Sequence, residues 1–191
     1  MFVSKYCYNS NIIKQERVLV LIDGSNFFFK LKDLGLHKLL KFDFSKFAKY
    51  LTKSNKIVNS FYYIGRVRQD GTKKADRMVA DQQKLFSRLK KHNYKYVLGY
   101  LLKSDGVYHE KGVDVQIAID IVVATYEDIC DRIILVSSDT DLLPAIKKAQ
   151  QKGKIVEYVG FSHMPSVAMV SRCKESRLIT KDEVESFIEK R

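Results

Sequence analysis

The sequence predicts an α/β protein, a three-layer α/β/α sandwich built on a central, mainly parallel sheet. Short apolar runs such as Val18-Leu19-Val20-Leu21-Ile22 and Ile133-Ile134-Leu135-Val136 recur along the chain. A run that is apolar at every position suits a strand covered on both faces. Between the runs lie segments of helical spacing, so strands and helices alternate as in βαβ units.

Val18–Asp23 is the first predicted strand and Phe27–Leu34 the first helix. Phe44–Leu51 is a second helix, with Asp43 or Ser45 as its cap, because a short side-chain oxygen satisfies a free N–H of the first turn. Ile57–Val67, β-branched and aromatic, is a strand, and Asp70-Gly71 a turn. Asp76–Lys91 is a long helix with Met78, Val79, Leu85, Phe86 and Leu89 on its apolar side. Tyr94–Leu102 is a strand, followed by the turn Ser104-Asp105-Gly106. Val115–Tyr126 is a helix that turns Ile117, Ala118, Ile121 and Val122 to a core, and Arg132–Ser137 is the next strand. Leu142–Gln151 is a helix that tolerates Pro144 because it falls in the first turn, and Gly153 is placed to end it. Ile155–Val159 (strand), Ser166–Cys173 (helix), Arg177–Thr180 (strand) and Asp182–Glu189 (helix) complete the chain. No linker or repeat interrupts this order, so one domain is expected over residues 17–191, preceded by a loosely attached extension, Met1–Glu16.

A chain of 191 residues can bury a full core as one domain, and 46% hydrophobic with 29% charged residues describes a globular protein. No apolar run approaches the roughly 20 residues that cross a bilayer. Met1–Glu16 lacks the continuous apolar stretch of a signal peptide, so the expectation is a cytoplasmic protein with no membrane partner. Cys7, Cys130 and Cys173 are scattered and form no CxxC pair, which suggests neither a zinc site nor a disulfide framework. His37, His92, His109 and His163 show no metal-binding spacing and are expected at the surface or in packing. The net charge of +12 suits a polyanionic partner.

Set against this positive charge, acids gather at predicted strand ends. Asp23 ends the first apolar run and opens Asp23-Gly24-Ser25-Asn26. The small residues let the backbone turn tightly, and Asn26 brings a second oxygen-bearing side chain to the same spot, where it can orient Asp23 or hold a water. Ser137-Ser138-Asp139-Thr140-Asp141 follows the Ile133–Val136 run. One residue suffices to cap a helix, and all five of these carry capping oxygens, a surplus that points to a site. Asp114 starts a helix after Lys111-Gly112-Val113, and Asp120 lies inside that helix among apolar residues. Six positions separate the two acids, about 120° on a straight helix, so both cannot point straight at one ion. Asp114 is the better ligand candidate, and Asp120 belongs beside the ligands, paired with a cation, or toward solvent. Strands that end in acids place them in the crevice where open α/β sheets bind ligands. Carboxylates brought together repel, and a divalent cation relieves that repulsion. Mg and Mn prefer such hard oxygen ligands and serve phosphodiester cleavage.

The basic residues Arg66, Arg68, Lys73, Lys74, Arg77, Lys84, Arg88, Lys90 and Lys91 follow the second strand or line the long helix. They read as a phosphate track, with Lys111 beside Asp114. Tyr62, Tyr63, Tyr94, Tyr96 and Tyr100 are candidates for stacking on bases.

Taken together, Ile22-Asp23-Gly24-Ser25-Asn26, Lys111-Gly112-Val113-Asp114-Val115 with Ala118-Ile119-Asp120, Val136-Ser137-Ser138-Asp139-Thr140-Asp141, and Gly153 resemble the NYN domains, LabA-like branch, of the PIN-like nuclease superfamily. The resemblance runs from about Arg17 to the C-terminal helix. It implies a PIN-like sandwich and a metal-dependent ribonuclease whose acids are Asp23, Asp114, Asp139 and Asp141, with Asn26 after the first acid and Asp120 in the helix. Ser138 stands where the family usually has Gly and Leu142 where it usually has Phe.

The expected function is thus hydrolysis of RNA, single-stranded or structured, by an Asp-cluster Mg or Mn site. Asp23, Asn26, Asp114, Asp139 and Asp141 are the catalytic set. Asp23, Asp114, Asp139, Asp141 and Asp120 are the metal set, and Arg66, Arg68, Lys73, Lys74, Arg77 and Lys111 bind the RNA. A homodimer is the other expected association. The alternative is a nucleic-acid-binding adaptor with a vestigial site. A haloacid-dehalogenase-type phosphatase would need an acid where Ser25 stands, and a Toprim domain a Glu where Asp23 stands.

Overall fold

The structure, a computed structural model, describes residues 15–36, 39–104 and 107–189. In chain order the elements are β1 (Arg17–Asp23), α1 (Gly24–Asp33), α2 (Phe44–Thr52), β2 (Lys56–Arg66), α3 (Lys73–Lys91), β3 (Lys95–Ser104), β4 (Val107–Lys111), α4 (Val113–Tyr126), β5 (Arg132–Val136), α5 (Leu143–Gln151), β6 (Ile155–Phe161), α6 (Val167–Arg172), β7 (Glu175–Ile179) and α7 (Lys181–Glu185). The strands form one sheet in the order β4-β3-β2-β1-β5-β6-β7. The β3–β4 pair is antiparallel and the other pairs are parallel.

β1 lies at the centre, and its pleat divides its side chains between two cores. Val18, Val20 and Ile22 face one core, with Phe27 and Leu31 of α1, Phe44 and Phe47 of α2, Leu85 and Leu89 of α3, and Val184 of α7. Leu19 and Leu21 face the other, with Ile117 and Ile121 of α4, Ala145 and Ile146 of α5, and Met169 of α6. This is the predicted three-layer sandwich. The first core is aromatic: Phe27 meets Phe42 edge to face at 5.2 Å, a favoured ring geometry.

Most expected elements form, with shifted ends. α1 starts at Gly24 rather than Phe27, because Asp23 itself caps it. α3 starts at Lys73 rather than Asp76, capped by Thr72, whose side chain accepts from Ala75 N–H. Its polar first turn carries no apolar period. α5 starts at Leu143 rather than Leu142, because a 3-10 turn, Thr140–Leu142, precedes it. The last helix is shorter than expected and is opened by a Thr180–Glu183 capping box. β4 is an addition to the expected set. The Asp105-Gly106 turn lies outside the described residues, as do residues 1–14 of the expected extension. Glu16 is tied to the sheet, its backbone N–H donating to Asn55 Oδ1 at 3.2 Å.

Gly24 is required by close approach. A Cβ there would lie 2.3 Å from a Tyr62 ring carbon and 2.5 Å from the Tyr63 carbonyl oxygen. The absent side chain lets α1 begin directly against β2 and holds Asp23 at the sheet edge. At the opposite edge Arg132 binds Glu16 at 2.6 Å, Glu157 at 3.2 Å and Glu175 at 2.6 Å. Glu157, 5% exposed, is also held by Arg177 at 2.6 Å. These pairs tie the starts of β5, β6 and β7 together, away from the predicted site.

Candidate active site

Parallel pairing sends the ends of β1, β2, β5 and β6 to one edge, where ligands of open α/β sheets bind. Ile22 of β1 lies opposite Val136 of β5, so Asp23 and Ser137 leave the sheet side by side. Ser137 Oγ donates to Asp23 Oδ2 at 2.9 Å, and Asn26 N–H donates to Oδ1 at 3.0 Å. Asn26 Oδ1 accepts from Ser138 N–H at 3.2 Å, locking the turn after β1 to the turn after β5. Ser137 Oγ accepts from Asp139 N–H at 3.2 Å, and Asp139 Oδ1 accepts from Asp141 N–H at 2.9 Å as cap of the 3-10 turn. The two sequence motifs therefore form one hydrogen-bonded unit.

A further acid joins it. Glu110 on β4 pairs with Leu101 of β3, and its carboxylate accepts from Gly65 N–H of β2. Its charge and that of Asp139 act on Asp23. Sequence reasoning missed Glu110. The available signal was the Asp105-Gly106 pair, a hairpin dipeptide that implies a returning strand.

Asp23 is 8% exposed. Burial chiefly pushes its pKa up from 3.8 to about 6, with Glu110 and Asp139 adding to the rise and the bonds from Asn26 and Ser137 opposing it. The folded state therefore holds this proton more tightly than the unfolded chain. The contribution of Asp23 to stability is most favourable below 3.8 and declines as pH rises through 6. Two pH units correspond to about 3 kcal/mol. Asp23→Asn is expected to lessen the loss of stability of the metal-free protein across this window, as read by thermal unfolding in EDTA. An identical pH profile for variant and wild type would refute the buried-carboxylate assignment.

Asp114 lies in the first turn of α4, after Gly112, whose φ of +79° suits a residue without Cβ. Asp114 and Asp141 line one groove of about 600 Å³ between α4 and α5, with Ile119, Pro144 and Lys148. Asp120 is engaged elsewhere: Oδ2 accepts from the buried Tyr63 hydroxyl at 2.7 Å and Oδ1 from Gln116 at 2.9 Å. It holds α4 against β2.

Two groups of acids result, Asp23 with Glu110 and Asp139, and Asp114 with Asp141. Among the described residues, no three His, Cys, Asp or Glu side chains are already gathered as a metal cage. The donors are nonetheless carboxylate oxygens throughout, and the mutual repulsion felt by Asp23 is of the kind a cation relieves. This donor chemistry fits Mg or Mn rather than a soft metal.

Arg66, Arg68, Lys73, Lys74, Arg77 and Lys111 are all exposed. Arg66, Tyr100 and Lys111 stand opposite one another on β2, β3 and β4, and directly paired residues share a face. Tyr100 is 63% exposed. The other tyrosines differ from expectation: Tyr62, Tyr63 and Tyr94 are buried, and Tyr96 stacks on Phe86 at 4.1 Å. Tyr62, Tyr63 and Tyr94 face the cores, so these three cannot meet a base. Cys130 and Cys173 are buried free thiols, as expected of idle cysteines. No described helix is long and apolar enough to cross a membrane.

A mainly parallel sheet between helical layers, with acids at its carboxyl edge, defines the PIN-like class of α/β sandwich. The chain belongs to the NYN domain family, whose model matches residues 17–180. A crystal structure of a protein of unknown function from Vibrio parahaemolyticus is similar, at 21% identity and a TM-score of 0.67, covering 86% of this chain and 93% of that one. A flap endonuclease of bacteriophage T5, solved with DNA and metal ions, aligns at 15% identity and a TM-score of 0.40, over 81% of this chain and 60% of that one. No curated protein matches the chain.

Proposed function

We propose that the protein is a Mg- or Mn-dependent ribonuclease of the cytoplasm. The observation that carries this reading is Asp23, a buried carboxylate fixed at the end of the central strand beside Glu110 and Asp139. Family membership supports it, as does a net charge of +12 around an acidic edge. Asp23, Asp139, Asp141 and Asp114 would hold the cation. When bound, such an ion makes water a better nucleophile and neutralises charge on phosphoryl oxygens. Asn26 holds the two acid-bearing turns in register, and Asp120 positions α4. Arg66, Arg68, Lys73, Lys74, Arg77 and Lys111 hold the RNA backbone, with Tyr100 open for stacking. For a homodimer, the surface offered is the exposed apolar side of α4, Val115, Ile119, Val123 and Tyr126, which borders the groove of Asp114 and Asp141.

Purified protein is expected to cleave single-stranded RNA in Mg or Mn and to stall in Ca or EDTA. Ca prefers longer bonds and a looser shell, so it fills the site without orienting water. Cleavage that survives EDTA, or equal cleavage by an Asp23→Asn, Asp139→Asn double variant purified in parallel, would overturn the enzyme reading. The separation of the acids into two groups is the observation that favours the second reading, an adaptor that binds nucleic acid without cutting it. Tight RNA binding without cleavage in Mn would establish that one.

RNA affinity is expected to fall steeply with salt. Each phosphate contact contributes roughly 0.7 to the slope of log K against log salt on a single strand, so replacing Arg66, Arg68 and Arg77 by Ala should reduce the slope by about 2. An unchanged slope would move the track elsewhere, with Lys147, Lys148 and Lys152 as the next candidates.

A further inference from the structure

A second cleft opens where β2 ends, toward α3 and away from α4 and the acids. Its volume is about 510 Å³, and Val79, Phe86, Tyr96 and Leu98 supply its apolar lining. That size falls in the range of roughly 300–1,000 Å³ common to small-ligand sites. One wall is built by Gln82, which is 7% exposed. Its Nε2 donates to Gly65 O at 2.8 Å and its Oε1 accepts from Val67 N–H at 3.0 Å. A buried carboxamide thus pins the backbone leaving β2 and holds the cleft open. Around the rim stand Arg66, Arg68, Gln69 and Gln83, all exposed.

The chemistry of this lining is selective. An apolar floor receives a flat, weakly hydrated ring. A carboxamide presents a donor and an acceptor side by side, the pattern that matches a base edge. A guanidinium pairs with phosphate through two parallel N–H bonds. A free phosphate would leave the floor and the glutamines unused, and a purely apolar ligand would leave two arginines unmatched. The position is equally informative. Gly65 joins the two sites, for its N–H is held by Glu110 at the acidic edge and its carbonyl by Gln82 in the cleft wall.

We propose that this cleft is a nucleotide subsite that takes the base and phosphate of a nucleotide flanking the cleaved bond, with Gln69 and Gln83 meeting the base edge and Arg66 and Arg68 the phosphate. Its place beside a cleaved bond rests on the nuclease reading, whereas its ligand chemistry does not. A chain laid across the end of β2, with one phosphodiester at the acids, brings a neighbouring nucleotide to it.

The test uses the full chain in EDTA, where no cleavage is asked of it. The four ribonucleoside 5′-monophosphates are titrated, with ribose 5-phosphate and inorganic phosphate as controls, and side-chain amide signals are followed by NMR. At least one nucleotide is expected to bind about tenfold more tightly than ribose 5-phosphate and to shift the Gln69 and Gln83 carboxamides, the difference a paired base edge supplies. The exposed-site variant Gln69→Ala, Gln83→Ala should remove that margin and leave phosphate binding in place, with its melting curve confirming the fold. Nucleotides that bind no better than ribose 5-phosphate, or that shift only signals elsewhere, would overturn the proposal. RNA cleavage in Mn with no nucleotide binding here would overturn the subsite alone. Nucleotide binding here without cleavage would keep the cleft and remove the nuclease reading.

Discussion

Replacing Asp139 by Asn is expected to reduce Mn-dependent RNA cleavage by roughly 10²–10³-fold while leaving the fold intact. The metal's electrostatic contribution is worth several kcal/mol, and each 1.36 kcal/mol is a factor of ten in rate. Asp139 also caps the 3-10 turn by accepting from Asp141 N–H at 2.9 Å. Asn keeps a carbonyl oxygen for that bond and is itself a good cap, so the turn survives. What disappears is a negative charge facing Asp23, whose carboxyl is already raised to about 6. The variant should therefore unfold no earlier than wild type without metal, and should lose the stabilisation that Mn gives wild type. Loss of cleavage together with loss of fold would trace the effect to structure, and full Mn-dependent activity would remove Asp139 from the site.

Arg132→Met should produce the largest loss of stability. Three carboxylates surround this guanidinium, and Glu157 is buried among them. Breaking a buried pair by deleting one partner typically costs about 3–5 kcal/mol, because the other charge stays behind unpaired. For a chain of this size that is roughly 10 °C in melting temperature. Arg177 still holds Glu157, which places the expectation toward the lower end. Adding Glu157→Gln should recover part of the loss, since the stranded charge is then gone. A single variant that melts with wild type, or a double variant that is additively worse, would contradict this account. Nuclease activity per folded molecule should be unaffected, because the network lies at the opposite edge of the sheet from Asp23.

Much of the candidate site is legible in the sequence because one apolar run ends in Asp23 and a second is followed, after two serines, by Asp139. That pattern fixes strand, direction and edge together, so Asp23 and Asp139 follow from it. Ser137 and Asn26 are legible as residues but not as partners, since their bonds link turns whose proximity depends on β1 pairing with β5. A returning strand is legible in Asp105-Gly106, but the role of Glu110 on it is not. Glu110 sits in Val107–Lys111, a short segment of mixed polarity, and its role arises only when pairing with Leu101 brings it over Gly65. The aromatic residues mislead for a related reason. Strand alternation decides whether a tyrosine meets the core or solvent, and five tyrosines close in sequence look alike until the register is known.

The central position of β1 has a consequence for how the molecule is made. One flank of β1 is covered by β2, but the other waits for β5, and Asp23 meets Ser137 only across 114 positions of chain. Contacts so distant in sequence slow folding. A growing polypeptide that has not yet reached β5 carries β1 with a bare edge and one wholly apolar face, and it carries the first aspartate without its neighbours. Synthesis thus delays assembly of the acidic edge until most of the domain exists, so an incomplete nascent chain carries Asp23 without the partners that fix it.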